Sequence, residues 1–285
     1  MEDSAKDLEI KSQQRENWNR FSAGWRKWDA VTMRMLKPAA DAMLAGIEWH
    51  DGMSILDVAS GTGEPGLTAA SLVSAKGGNV LATDLSEEMT AIAREAGRAR
   101  HLTNFRAETA SADQIPAPDN TFDVILCRFG FMFFPNIAAV LVEFTRVLKP
   151  GGRLVAAVWS APPKNAWATT AMSVIRANVD LPPPQPGAPG LFRFADDSSL
   201  VEDFKQAGLR HVHSREIEWK AAYGQPQDYW SFVTEVSAPV VDGLSKATPE
   251  ARARIHAEVI TAAERNMSDG EVRLSCASHI LSAVK

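Results

Sequence analysis

Between Leu56 and Gly66 the chain reads LDVASGTGEPG, and Gly61, Gly63 and Gly66 meet the pattern G-x-G-x-x-G after a strand-like run and before a helical one. Glycine at these places lets a backbone turn tightly and approach a ligand closely. Asp84 ends the next strand-like run, NVLATD, about twenty residues on, where a carboxylate takes the two hydroxyls of a ribose. Several nucleotide-type ligands are held by this pair of features, so the pair defines a class of ligand and no single member of it. Asp57 is more selective. A carboxylate at the strand tip repels a pyrophosphate and favours an ammonium. The loop therefore suits a ligand with a cationic amino-acid tail. The carboxylate of that tail is received by free N–H groups and the helix dipole where a helix is expected from Pro65. Glu64, in that first turn, complements the same dipole.

The scaffold that positions these groups is legible from periodicity. From Leu8 to about Trp49 the pattern is helical, and Trp18, Phe21, Trp25 and Trp28 recur three or four apart on one face. From Met53 short strand-like runs alternate with helical ones: MSILDV, NVLATD, TNFRAE, FDVILC and GRLVAAVW, with helices from about Pro65, Ser86 and Ile137. This alternation predicts an α/β fold, a parallel sheet with helices on both faces. KPGG, with Gly151 and Gly152, predicts a turn before the fifth strand, and Asp123 a polar anchor for the start of the fourth. Beyond Trp159 the expected order is a helix near Ala166 to Asn178, a proline-rich loop LPPPQPGAPG and a helix from Asp196 to Gln206. A strand near Leu209 to Trp219, helices at about Gln227 to Leu244 and Pro249 to Asn266, and a strand at about Arg273 to Val284 follow. No linker interrupts the chain. The reading is a helical lid over residues 1–48 and a domain over 49–285, with a helical insertion at about 224–268.

In order and spacing, LDVASGTG, TDLSEEM, IPAPDNTFDVIL and RVLKPGGRLV resemble the class I S-adenosylmethionine-dependent methyltransferases, in particular the C-methyltransferases of ubiquinone and menaquinone biosynthesis and their bacterial relatives. The matching motifs run from about Ile55 to Val158. The resemblance implies a Rossmann-like, mostly parallel sheet of seven strands in the order 3-2-1-4-5-7-6, the last strand antiparallel, and S-adenosyl-L-methionine as cofactor. It also implies roles for single residues. Asp57, Ala59, Gly61, Thr62 and Gly63 hold the methionine end, Asp84 the ribose, and Leu85 covers one face of the adenine. Ser111 and Ala112 match the pair that meets the adenine amino group. The family has Asn or Asp where Ser111 stands, and Asp113 supplies the missing acceptor. Arg128 stands where the family has a small polar residue, and its guanidinium suits the methionine carboxylate. On the family's sheet order Cys127 and Cys276 lie on non-neighbouring strands, so no disulfide joins them.

The activity implied is transfer of a methyl group, in line, to a small, largely apolar or aromatic acceptor in the cytoplasm. No catalytic residue is assigned. His211 and His213 read as a half-exposed surface pair on one strand face, with no third metal ligand nearby. The family places the acceptor over the carboxyl edge of the sheet. The aromatic residues expected there are Trp18, Phe21, Trp25, Trp28, Phe129 and Trp230, with Phe131, Phe133, Tyr229 and Phe232 nearby.

Composition narrows the alternatives. A net charge of −5 and a pI near 5.7 give no field for a phosphate backbone, so no nucleic-acid partner is expected. CRFGFMFF replaces the Asn/Asp-Pro-Pro-aromatic run of methyltransferases that act on base amino groups. Two cysteines, Cys127 and Cys276, are too few for a metal cluster and read as buried reduced thiols. The start, MEDSAKDLEIKSQQREN, has no signal-peptide pattern, and the apolar stretch from Phe129 to Phe144 is broken by Pro135 and Asn136. A non-catalytic protein that binds the same cofactor stays open as an alternative, as does an NAD-dependent oxidoreductase.

Overall fold

In the computed structural model, which describes residues 4–183, 185 and 187–285, β1 (Ser54–Val58), β2 (Asn79–Asp84), β3 (Phe105–Thr109), β4 (Phe122–Arg128) and β5 (Leu148–Trp159) run parallel. Their side chains alternate between two apolar layers. Leu56, Val58, Ile125, Cys127, Leu154 and Ala156 face one layer, and Ile55, Val80, Leu126, Val155 and Ala157 the other. Burial on both faces is why these strands read as nearly continuous apolar runs. Three further strands follow, β6 (Arg210–Ala222), β7 (Met267–Ser268) and β8 (Glu271–Val284). The order is β3-β2-β1-β4-β5-β8-β6, and β8 is antiparallel to both neighbours. β7 makes an eighth strand, pairs only with β8 and lies off this path. With that two-residue arm set aside, the order is the one the family resemblance implies.

KPGG does not precede β5 but folds out within it. Pairing with β4 jumps from Phe122–Leu148 to Val124–Arg153, and Gly151 takes φ +78°. Cys127 on β4 and Cys276 on β8 are free and buried, with β5 between their strands.

The N-terminal stretch is two helices, α1 (Ala5–Lys27) and α2 (Asp29–Leu44), meeting at Trp28. Ser4 caps α1 by accepting from the Asp7 N–H at 3.1 Å, and Asp7 accepts in return from the Ser4 N–H. The two helices differ in kind. α1 buries only Phe21 and Ser22, whereas α2 buries Met35, Leu36, Ala39, Ala40, Met43 and Leu44 against the sheet layers. Within the lid expected over residues 1–48, α1 therefore lies on the body while α2 is part of it. Residues 1–3 of that span lie outside the described residues.

Helices α3 (Gly66–Ser74), α4 (Glu87–Ala99) and α5 (Ile137–Val147) flank the parallel strands. Ser86 caps α4 by accepting from the Met89 N–H, and Asn136 caps α5 by accepting from the Ala139 N–H. α6 (Ala166–Asn178) and α7 (Ser198–Gln206) are separated by the proline-rich loop, whose Pro184 and Pro186 lie outside the described residues. That loop is tied to the turn after β4: the Gly190 N–H donates to the Met132 carbonyl at 2.9 Å, and Arg193 to the Phe134 carbonyl at 2.5 Å. The insertion between β6 and β8 is α8 (Pro226–Val236), α9 (Ala238–Ser245) and α10 (Pro249–Glu264). A single helix over Gln227 to Leu244 is not formed. Ser237 is extended (φ −110°, ψ 103°) and Pro239 follows, so the chain restarts there as α9.

Candidate functional site

The carboxyl ends of β1, β2, β4 and β5 lie side by side and open on one cavity of about 410 Å³. This edge is where ligands of open parallel sheets bind. The glycine loop forms its floor. Ala59 (φ 54°) and Gly61 (φ 54°) are left-handed, and Ser60 is held through its N–H to the Thr83 carbonyl at 3.0 Å. Gly63, at φ +111°, turns the chain into α3 but does not line the cavity. Gly66 has a different reason: a Cβ there would stand 2.7 Å from Asp57 Oδ2.

Asp57 is placed behind this loop and not on the cavity wall. Its Oδ2 accepts from the Gly66 N–H at 2.8 Å, and its Oδ1 is buried with no partner among the described residues. Asp57 thus anchors the start of α3 from behind the loop. Pro65 precedes α3 instead of opening it, and Glu64 accepts from Thr68 N and Oγ1 at 3.1 and 2.8 Å. Burial pushes the Asp57 carboxyl up to about 8. A carboxyl raised in the folded state binds protons that the unfolded chain has released, so its stabilising contribution is complete below pH 3.8 and is lost as pH rises toward 8. Urea unfolding is expected to show stability falling across this window, and Asp57→Asn to flatten that slope. An identical slope in both proteins would count against a protonated Asp57.

Asp84, Leu85, Ser111, Ala112 and Asp113 all line the cavity, as do Ala59, Gly61 and Thr62. Asp84 Oδ2 accepts from the Gly61 N–H and Oδ1 from the Ser86 N–H, each at 2.9 Å, which leaves each oxygen a second lone pair. Burial raises its carboxyl while these N–H groups pull it down. Ser111 Oγ donates to Asp113 Oδ1 at 2.5 Å, and Lys11 of α1 pairs with the other oxygen. Asp113 thereby joins the adenine end of the expected site to α1.

Arg128 lies beside the loop, since β4 pairs with β1 in the register Asp57–Leu126. It is 9% exposed, lines the cavity, and makes no hydrogen bond or ion pair with any described residue. Its burial lowers the guanidinium's proton affinity, and Asp57, Glu64 and Asp29 oppose this from a distance. Thr32 of α2 and Ser60 of the loop line the same cavity, each with a buried hydroxyl oxygen that has no described partner. Phe129, next to Arg128, is left-handed (φ 62°), and Gly130 fits between Cys127, Ala59 and Phe134 where a Cβ would not.

The remaining wall is aromatic and aliphatic. Trp18, Phe21, Trp25 and Phe129 line it, as expected, whereas Trp28 and Trp230 do not. Trp28 turns to α8, where its Nε1 donates to Glu235 at 3.0 Å, and Trp230 packs on His256. Phe133 and Phe232 line the cavity, while Phe131 and Tyr229 are core. Sequence reasoning missed Thr32, Met35, Trp159 and Trp167. Trp159 stacks on Phe129 at 4.1 Å and 9°, and Trp167 tilts against it at 4.7 Å. Position at the carboxyl end of a strand was the available signal for Trp159. His211 and His213 lie on exposed β6, where a bulge interrupts their alternation, and no metal-binding cluster occurs among the described residues. No His, Cys, Tyr or Glu lines the cavity among the described residues.

α1 closes the cavity from above. Asn19 accepts from Ser86 Oγ at 2.6 Å, Lys27 pairs with Glu235 at 2.7 Å, and Lys11 reaches Asp113. Gly24 sets how near α1 comes to α8: a Cβ there would lie 2.0 Å from the backbone oxygen of Glu235. Gly24→Ala is expected to push the helices apart at a cost of about 1–3 kcal/mol. A lower melting temperature with stronger acrylamide quenching of tryptophan is the expected result, and a variant that melts like the parent would mean that α1 adjusts freely.

Residues 56–156 match a family described as a methyltransferase domain. The chain is 33% identical to a demethylmenaquinone methyltransferase of Shouchella clausii over 146 residues, which is 50% of this chain and 62% of that one. It is 42% identical to the demethylmenaquinone methyltransferase of Thermus thermophilus over 113 residues, 40% of this chain and 50% of that one. The chain thus spans between half and 62% of the length of these curated relatives. The solved structure of the YcgJ protein of Bacillus subtilis superposes with a TM-score of 0.57 at 18% identity, covering 87% of this chain and 98% of that one, a likeness of fold. No described helix is long and apolar enough to cross a membrane.

Proposed function

We infer, for a chain that residues 56–156 relate to the class I S-adenosylmethionine-dependent methyltransferases, that it binds S-adenosylmethionine and passes its methyl group to a small, largely apolar acceptor. The observation that carries this reading is the division of one cavity: glycine loop, Asp84 and Arg128 at one side, a wall of aromatic rings at the other. The residues fit the cofactor. Ala59, Gly61 and Thr62 form a floor for the methionine end, the free lone pairs of Asp84 suit two ribose hydroxyls, and Leu85 and Ala112 suit the faces of a purine. Ser111 and Asp113, already bonded to each other, stand where the adenine amino group is expected. Bound there, the cofactor supplies a methyl group on a sulfonium, open to displacement in line.

The chain's own part is positioning and exclusion of water. The carboxylates on the described wall are engaged with other groups, Asp84 with the Gly61 and Ser86 N–H groups, Asp113 with Ser111 and Lys11, and Asp242 with Arg20. None of them is therefore assigned as a base, and the work falls to orientation of an acceptor that brings its own nucleophile. The aromatic wall and the quinone-biosynthesis names of the relatives support an apolar or aromatic acceptor. Fluorescence titration is expected to show quenching by S-adenosylhomocysteine and none by NADH. The reverse result would restore the oxidoreductase reading. Binding without release of labelled methyl to any member of a panel of apolar aromatic acceptors would instead favour a non-catalytic binder.

A further inference from the structure

Four tryptophans line the cavity among the described residues, Trp18, Trp25, Trp159 and Trp167, and their indole N–H groups are in different states. Trp167 donates to Asn165 Oδ1 at 3.1 Å, so its N–H is spent. Trp25 Nε1 is sealed in protein with no described partner, and Trp18 is half-buried on α1, where water reaches it. Trp159 differs from all three. It is 2% exposed and its side chain makes no hydrogen bond with a described residue, yet its Nε1, unlike that of Trp25, is not sealed off and keeps some open surface. Phe129 covers one face of the ring, stacked at 4.1 Å, and Trp167 and Trp219 pack at 4.7 and 5.8 Å, which leaves the ring's edge for the cavity. A buried indole N–H ordinarily has a partner. It can only donate, so its partner must carry a lone pair, which excludes an ammonium. The sheet order then separates cofactor from acceptor. β4 lies between β5 and β1, so at ~4.8 Å per strand Trp159 stands about 10 Å across the sheet from the glycine loop, and farther from Asp84 on β2.

We propose that Trp159 is a specificity-determining residue: its indole N–H donates to a carbonyl, hydroxyl or ether oxygen on the acceptor and fixes which way round the acceptor enters. This rests on the methyltransferase reading and refines its acceptor. One placed donor on an otherwise apolar wall is enough to orient a ring that the wall alone would hold in several ways. Asn165 makes that donor the distinctive one, because it takes up the N–H of the neighbouring Trp167.

The test uses the full-length chain saturated with S-adenosylhomocysteine and two flat probes of one shape, 2-acetylnaphthalene and 2-isopropenylnaphthalene, which differ in an oxygen for a methylene. Equilibrium dialysis gives the ratio of their affinities. Trp159→Phe, which keeps a ring and removes the donor, is expected to cut the preference for the oxygenated probe about tenfold. Trp167→Phe removes an N–H already spent on Asn165, so its ratio should match the parent's. A ratio unchanged in Trp159→Phe, or lowered alike in both variants, would overturn the proposal. So would a comparable loss of affinity for S-adenosylhomocysteine, which would give the N–H to the cofactor. If Trp159→Phe does not fold, the parent alone decides: of its eight tryptophans, one indole N–H resonance should move downfield with the ketone and not with its methylene counterpart. Identical spectra would overturn the proposal. Binding of neither probe by a parent that takes S-adenosylhomocysteine would fault the apolar-acceptor reading itself, and this proposal with it.

Discussion

Arg128→Met is expected to raise the melting temperature of the unliganded protein while cutting its affinity for S-adenosylhomocysteine by on the order of a hundredfold or more. The two effects have one cause. The guanidinium is buried, unpartnered among the described residues, and held only by distant carboxylates, Asp57, Glu64 and Asp29. Taking a charge out of water without an adjacent counter-ion costs several kcal/mol, which a methionine of similar length does not incur. A bound carboxylate offsets that cost in the parent and has nothing to pair with in the variant. Thermal melts with and without ligand separate the two states. 5′-Methylthioadenosine, which has the nucleoside but no amino-acid tail, should bind both proteins alike. A variant that melts lower than the parent, or that loses methylthioadenosine as strongly as the full ligand, would place Arg128 in structural support.

Asp84→Ala should have the larger effect on affinity, on the order of a thousandfold by calorimetry. Each hydrogen bond from a ribose hydroxyl to a charged carboxylate contributes about 1.5–3 kcal/mol, and two are at stake. The same carboxylate also holds the Gly61 and Ser86 N–H groups, both at 2.9 Å. Its loss therefore loosens the floor of the site and the entry to α4 together. Unlike Arg128→Met, this change should weaken methylthioadenosine as much as S-adenosylhomocysteine, because both share the ribose. Unchanged binding of either would mean that the ribose lies elsewhere.

Much of this was readable before any coordinates, and the reasons differ by feature. The glycine loop, Asp84 and the Ser86 cap depend on local backbone demands, which a short stretch of sequence states by itself. The strand order came from a family resemblance and the alternation of apolar runs. What escaped was the choice between faces. A helical stripe of four rings does not say which ring turns outward, so Trp28 meets Glu235 and Trp230 meets His256 while their neighbours face the cavity. The joint at Trp28 carries neither glycine nor proline, and the helical pattern runs through it. Thr32 gave no signal at all. A threonine in a helix that packs on the core reads as tolerated core, and only the folded structure shows that its hydroxyl is buried with no partner among the described residues.

Ala59 and Phe129 hold left-handed backbone at 54° and 62°, on the two neighbouring strand ends that border the glycine loop. Such conformations cost about 1–3 kcal/mol each for residues with a Cβ, and neighbouring strands hold them, the Phe129 N–H donating to the Ala157 carbonyl at 2.8 Å and the Ser60 N–H to the Thr83 carbonyl at 3.0 Å. The reorganisation that a flexible loop would undergo on association has thus been completed during folding. Association then loses little chain entropy, and discrimination between ligands falls to desolvation and charge. In kinetic terms the site is a rigid socket: close variants of a ligand should arrive at similar rates and differ in how long they stay.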